Sequence, residues 1–224
     1  MGATITLKCG DGVEIGAYRA DPAGAPRGGI VVIQEIFGVN AHIRAVADLY
    51  AALGYLAIAP ALFDRSERNV DIGYDQASRE RGFALLGKSP RDKALLDIAA
   101  AIDVASSAGK VGVVGFCWGG ALAWFSAAQL PGIAAAVGYY GGGILAAKDL
   151  KPKVPILLHF GENDDHIPAA GVRELAAEYP NIPVYLYAGA DHAFNRDLDP
   201  HAYHAPSADL ARQRTLKFFG KHVG

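Results

Sequence analysis

The segment Val111 to Ala121, V-G-V-V-G-F-C-W-G-G-A, constrains the fold more than any other stretch of this chain. Val111, Val113 and Val114 form a short β-branched run that reads as a buried strand, and helix-forming residues resume from Ala121 to Gln129. Between them lie Gly115, Phe116, Cys117, Trp118 and Gly119, so the local order is strand, sharp turn, helix. Glycines on both sides of Cys117 suit a turn with a strained central residue, because a β-carbon at either flank would meet neighbouring backbone. The spacing is that of G-x-S-x-G with cysteine at the centre. Cys117 is expected to project above a sheet edge at a helix start, where unpaired N–H groups and the positive dipole end favour a thiolate. The N–H of Trp118 is then a natural oxyanion-hole donor.

The rest of the chain supplies the sheet that such a turn requires. Residues 3 to 20 read as a hairpin around Asp11-Gly12, and Ile30 to Ile33 as a strand buried on both faces. Asn40 can cap a helix whose apolar residues Ile43, Val46, Ala47, Tyr50 and Leu53 share a face, with Gly54 as its stop. Strands are expected at Tyr55 to Ala59, Ile133 to Tyr139, Ile156 to Phe160 and Val184 to Tyr187, and helices at 75 to 86, 169 to 179 and 207 to 219. A further helix opens at Ser89-Pro90, with Ser89 as N-cap and Asp92 completing a capping box. Residues 60 to 75 have no clear period and follow a strand, so they are expected to form a substrate-facing loop. Alternating strands and helices predict an α/β fold with a mostly parallel twisted sheet and helices on both faces.

Composition narrows the functional class. The 224 residues suit one domain, residues 1 to 224, without a separate cap, and 51% hydrophobic with 20% charged residues describes an ordinary globular chain. A net charge of −2 argues against nucleic-acid and membrane partners. Cys9 and Cys117 lie far apart, in no paired spacing, which fits a reducing compartment. The N-terminus lacks the pattern of a secretory signal and no apolar run reaches membrane-spanning length, so the expected location is cytoplasmic. Met1 to Thr6 matches the acylation pattern M-G-x-x-x-[ST], but Ile5 and Leu7 alternate like a first strand and no basic cluster supplies a second anchor. Gly82 to Ser89 literally matches the phosphate-loop pattern G-x-x-x-x-G-K-[ST], yet it follows a charged segment where a genuine phosphate loop follows a buried strand.

A cysteine nucleophile needs a base, and the base an orienting acid. Of seven histidines, only His192 occupies a short polar loop directly after an expected core strand. His159 lies inside an apolar strand and reads as a satisfied core residue; His42, His201, His204 and His222 read as surface; His166, beside the acid loop, is the rival. The loop G-E-N-D-D-H-I-P offers Asp164 and Asp165 as the acid, with Asp164 favoured. The order Cys117, Asp164, His192 is that of α/β-hydrolases.

Taken together, Q-E-I-F-G-V-N at 34 to 40, G-F-C-W-G-G at 115 to 120, G-E-N-D at 161 to 164 and H-A-F-N-R at 192 to 196 resemble the dienelactone hydrolase (carboxymethylenebutenolidase) family over nearly the whole chain. The resemblance implies an α/β-hydrolase fold with Cys117 as nucleophile, Asp164 as orienting acid and His192 as base. It further implies that Glu35 is a buried glutamate that pairs with the resting thiol and deprotonates it when substrate binds. Ile36 corresponds to the second oxyanion donor, and Arg196 to an arginine that binds the substrate carboxylate. Arg79 is the expected second arginine, with Arg81 competing. Trp118, bulky for its position, and Asp191, where the family often has glycine, depart from the pattern and bear on substrate preference.

The expected activity is hydrolysis of a small unsaturated lactone, dienelactone to maleylacetate, through a cysteine acyl-enzyme in aromatic-compound degradation. No metal or organic cofactor is required. The expected partner is a small-molecule lactone or ester, and the protein is expected to be a monomer or weak homo-oligomer. The competing readings are a carboxylesterase of different range, a non-catalytic ligand-binding protein on a hydrolase scaffold, and a glutamine amidotransferase, against which stands the lack of an H-x-E pair.

Overall fold

In the computed structural model, which describes residues 2–224, eight strands form one sheet in the order β1-β2-β4-β3-β5-β6-β7-β8. Met1, with which the acylation pattern begins, lies outside the described residues. Strands β1 (Ala3–Lys8) and β2 (Glu14–Ala20) make the expected antiparallel hairpin, and Gly12 takes φ +83° at its turn. Strand β2 pairs antiparallel with β4 (Leu56–Pro60); from there β3 (Gly29–Ile33), β5 (Val111–Phe116), β6 (Ile133–Tyr139), β7 (Ile156–Gly161) and β8 (Val184–Tyr187) run parallel. The fully buried strands β3, β4 and β5 are continuous apolar or glycine runs, as burial on both faces demands, and β7 departs from this only at His159.

Helices α3 (Arg91–Ala105) and α4 (Trp118–Gln129) pack together on one face, where Trp124 of α4 meets Tyr179 at the end of α5 (Ala169–Glu178). On the other face α1 (Ala41–Ala52) and α6 (Ala205–His222) join through Tyr50 and Phe219. Asn40 caps α1 as expected, its side chain accepting from the Ile43 amide. Ser89 does not cap α3. Pro90 holds that position without a side-chain cap, and the Ser89 hydroxyl donates to the Leu85 carbonyl, closing the end of α2 (Gln76–Leu86) instead. The phosphate-loop match therefore starts inside α2 and ends before α3, with Lys88 outside either helix.

The chain leaves β3 for β4 on one side and returns to place β5 on the other. That change of direction opens a crevice beyond the carboxyl ends of β3 and β5, where ligands bind in open α/β sheets. Beside it Ile36, Phe37, Phe63, Val70 and Leu85 form a small apolar cluster separate from the main core.

Candidate active site

The turn after β5 has the strained geometry anticipated from its glycines. Cys117 sits at φ 54° and ψ −116°, a region disfavoured for any residue with a side chain. A β-carbon on Gly115 would lie 1.9 Å from the Gly119 carbonyl oxygen, and one on Gly119 would lie 2.4 Å from that of Ile33. Only glycine permits so tight a crossing between β5, the start of α4 and the end of β3. Cys117 is half-buried, and its amide donates to the Tyr139 carbonyl at 3.0 Å. Among the described residues the amides of Trp118 and Ile36, two residues that line the same crevice, donate to no protein acceptor.

Beyond β7 and β8 the acid and histidine loops meet. The Asp164 Oδ2 atom lies 2.7 Å from His192 Nδ1, while its Oδ1 accepts from the amides of His166 and Ile167 at 2.8 and 3.1 Å. Asp164 is buried; Asp165 is exposed and faces the rim. Burial alone would lower the pKa of His192. The hydrogen bond with Asp164, reinforced by the negative charge of Asp164 and of the nearby Cys117 sulfur, outweighs it and pushes the imidazole up to about 10. His166 is exposed and stands edge-on to His192, ring centroids 5.3 Å apart. His159 is the core residue expected, bonded to the hydroxyls of Tyr187 and Thr215.

Glu35 and Arg196 depart from their expected partners. The fully buried Glu35 carboxylate does not pair with the thiol; it receives Arg196 Nη2 at 3.0 Å and Nε at 3.2 Å. The Arg196 guanidinium also donates to Asp199 Oδ2 at 2.9 Å and lies 4.3 Å from the ring centre of Tyr74. A buried carboxylate and a buried guanidinium satisfy each other more fully than a neutral thiol could satisfy either. Arg196 still contributes to the pocket wall, but its charge is already shared by two carboxylates.

The pocket encloses about 390 Å³ between Cys117, Trp118, His192 and the turn at Ile36 and Phe37, with Arg79, Phe83 and Leu86 of α2 forming its outer wall. Arg79 faces this space with Nε held by the Tyr74 carbonyl, whereas Arg81 points away to Glu67. Residues 60 to 75 do not line the pocket. They stand behind it: Phe63 stacks on Trp118 with centroids 5.4 Å and planes 9° apart, and Tyr74 backs Arg196. Asp191 is exposed on the adjoining rim.

Three features lay beyond sequence reasoning. Tyr140 follows β6 at φ 36°, its ring 5.1 Å from that of His192 and its buried hydroxyl without a partner among the described residues. Asp199 shares Arg196, a relation suggested only by the three-residue spacing within one loop. His42, expected at the surface, is buried in the first turn of α1 with Nδ1 bonded to Asp197 at 3.1 Å, because its ring fills the space beside Phe116. Among the described residues no group of three or more histidine, cysteine or carboxylate side chains is arranged to hold a metal ion, and no helix is long and apolar enough to cross a membrane.

Residues 15–223 match the model of the dienelactone hydrolase family. A Pseudomonas putida carboxymethylenebutenolidase is 37% identical over 225 residues, covering 96% of this chain and 94% of that protein. The carboxymethylenebutenolidase of Pseudomonas knackmussii is likewise 37% identical, with the same coverage of 96% and 94%. Among solved structures, a candidate dienelactone hydrolase from Klebsiella pneumoniae superposes with a TM-score of 0.83 at 30% identity, covering 99% of this chain and 100% of that one.

Proposed function

The chain belongs to the dienelactone hydrolase family, and we propose that it opens a small unsaturated lactone, dienelactone to maleylacetate, through an acyl-enzyme on Cys117. The observation that carries this reading is the meeting of three chain-distant groups, Cys117, His192 and Asp164, at the carboxyl ends of β5, β8 and β7. In this reading the Cys117 thiolate adds to the lactone carbonyl carbon, and the amides of Trp118 and Ile36 hold the resulting oxyanion. The carbonyl re-forms as the ring C–O bond breaks; the electron pair leaves on the ring oxygen as an enolate, which takes the proton of the His192 imidazolium to give the ketone and leaves the imidazole neutral. Water then attacks the thioester, His192 accepting its proton, and the C–S bond breaks to restore the thiolate and release the carboxylate.

The two roles of His192 follow from its electrostatics. In the resting site Cys117 helps keep the imidazole protonated, and a protonated imidazole stabilises a thiolate. Acylation removes the sulfur's charge, which lowers the histidine pKa and frees it to act as a base in the second step. Asp164 holds the ring in place throughout. Arg79 is assigned to the substrate carboxylate, with Arg196 behind the site and Glu35 as its buried counter-ion. The lining residues of the pocket form a single catalytic unit, which is assigned to the cytoplasm.

Turnover is tested by following the ultraviolet absorbance of dienelactone with the wild type and a Cys117→Ala variant. Loss of absorbance with the wild type and none with the variant is expected. A wild type inert toward dienelactone but active on simple aryl esters would discard the substrate and leave a carboxylesterase of different range.

A further inference from the structure

Helix α2 supplies three side chains to the pocket wall, Arg79, Phe83 and Leu86, yet it buries only Gly82 and Leu85. Leu85 enters the apolar cluster of Ile36, Phe37, Phe63 and Val70, which is separate from the main core and against which Trp118 also packs. Gly82 makes the closest approach. A β-carbon there would lie 2.4 Å from the Ile36 carbonyl oxygen and 3.2 Å from its Cγ1. Glycine in a helix interior is about 1 kcal/mol less favourable than alanine, so at this position a local cost accompanies a contact that no other residue allows. The atom it contacts belongs to Ile36, which lines the pocket and whose amide donates to no protein acceptor among the described residues.

We infer that Gly82 is a positioning residue: it sets the separation between α2 and the Ile36 turn, so that the substrate wall and one oxyanion donor are seated as a single unit. This rests on the hydrolase reading for its consequence in catalysis, while the positional statement stands on geometry alone. A side chain at residue 82 must displace either α2 or the Ile36 peptide. Oxyanion donors act over a narrow range of distance, so a small displacement of the Ile36 amide is felt chiefly in the transition state.

The test compares Gly82→Ala with Gly87→Ala, since a β-carbon at residue 87 meets nothing nearer than 3.6 Å. With p-nitrophenyl acetate as probe, Gly82→Ala is expected to lower kcat by roughly tenfold to a hundredfold with KM changed less than about threefold, while Gly87→Ala keeps both. A simple loss of substrate seating would raise KM instead. In amide NMR spectra the Ile36 resonance is expected to shift in Gly82→Ala and to stay put in Gly87→Ala. Retention of wild-type kcat in Gly82→Ala, or an unmoved Ile36 resonance, overturns the inference. A wild type that hydrolyses no ester refutes the hydrolase reading, and the resonance shift then decides the positional role by itself. Should Gly82→Ala fail to fold, Leu85→Ala loosens the same seat without a clash; a soluble Leu85→Ala protein with unchanged kcat and Ile36 resonance overturns the inference equally.

Discussion

Arg196 holds the Glu35 carboxylate through two nitrogens, at 3.0 and 3.2 Å, across 161 residues of sequence. Both side chains are almost wholly removed from water, so the pair ties the turn after β3 to the loop after β8 in a region of low dielectric. His192 begins the second of these loops and the Ile36 amide lies on the first.

Removing one partner should therefore be more damaging than removing both. Arg196→Met leaves Glu35 buried without its counter-ion and is expected to cost about 3 to 5 kcal/mol of unfolding free energy in urea. The double variant Glu35→Gln, Arg196→Met is expected to recover part of that loss. Single variants within about 1 kcal/mol of the wild type would show that the pair is solvated in solution.

His192 gives the stability a definite pH dependence. Its folded pKa of about 10 lies above the ordinary 6.5, so its contribution is fully present below pH 6.5 and is lost as pH rises through 10. Ring-proton NMR is expected to show His192 protonated at neutral pH in the wild type and titrating at markedly lower pH in Cys117→Ala, where the sulfur's contribution is gone. An unchanged titration in that variant would separate the two side chains.

The two cysteines should differ sharply toward iodoacetamide. Burial, with the hydrogen bond to Asp97 at 3.0 Å and that carboxylate's charge, pushes the Cys9 thiol up to about 12, where almost no thiolate exists at neutral pH. Cys117 is accessible from the pocket beside a protonated imidazole. Peptide mass spectrometry after brief labelling at pH 7 is expected to find Cys117 modified and Cys9 untouched; comparable labelling of both would contradict this.

The two candidate arginines separate by direction. Arg79 borders the pocket and Arg81 is paired with Glu67 outside it. For a carboxylate-bearing substrate, Arg79→Met is expected to raise KM by about tenfold, the scale of one charge-assisted hydrogen bond, and Arg81→Met to leave it unchanged. Equal effects would remove Arg79 from substrate recognition.

What the sequence disclosed and what it withheld divide along physical lines. Strand and helix positions follow periodicity, and the Cys117 turn follows from glycines whose absent β-carbons leave a readable spacing. Asp164 and His192 stand on the loops that follow successive parallel strands, β7 and β8, so their convergence could be anticipated from chain order. The partner of Glu35 could not. Whether a buried carboxylate faces a thiol or a guanidinium depends on how two loops far apart in sequence pack, and no local pattern records that. Ser89 matched a capping box, but the Leu85 carbonyl at 2.9 Å captured its hydroxyl. The irregular segment 60 to 75, expected to face substrate, does not: its aromatic residues serve as backing for Trp118 and Arg196 while α2 takes the pocket wall.

The most direct test of the account is acid-quench mass spectrometry of the protein mixed with p-nitrophenyl acetate. A single transient acetyl group is expected on the Cys117 peptide, persisting in His192→Ala once that variant is acylated and absent in Cys117→Ala. Ester hydrolysis with no acylated Cys117 at any time point, or with the acetyl group on another residue, would contradict it.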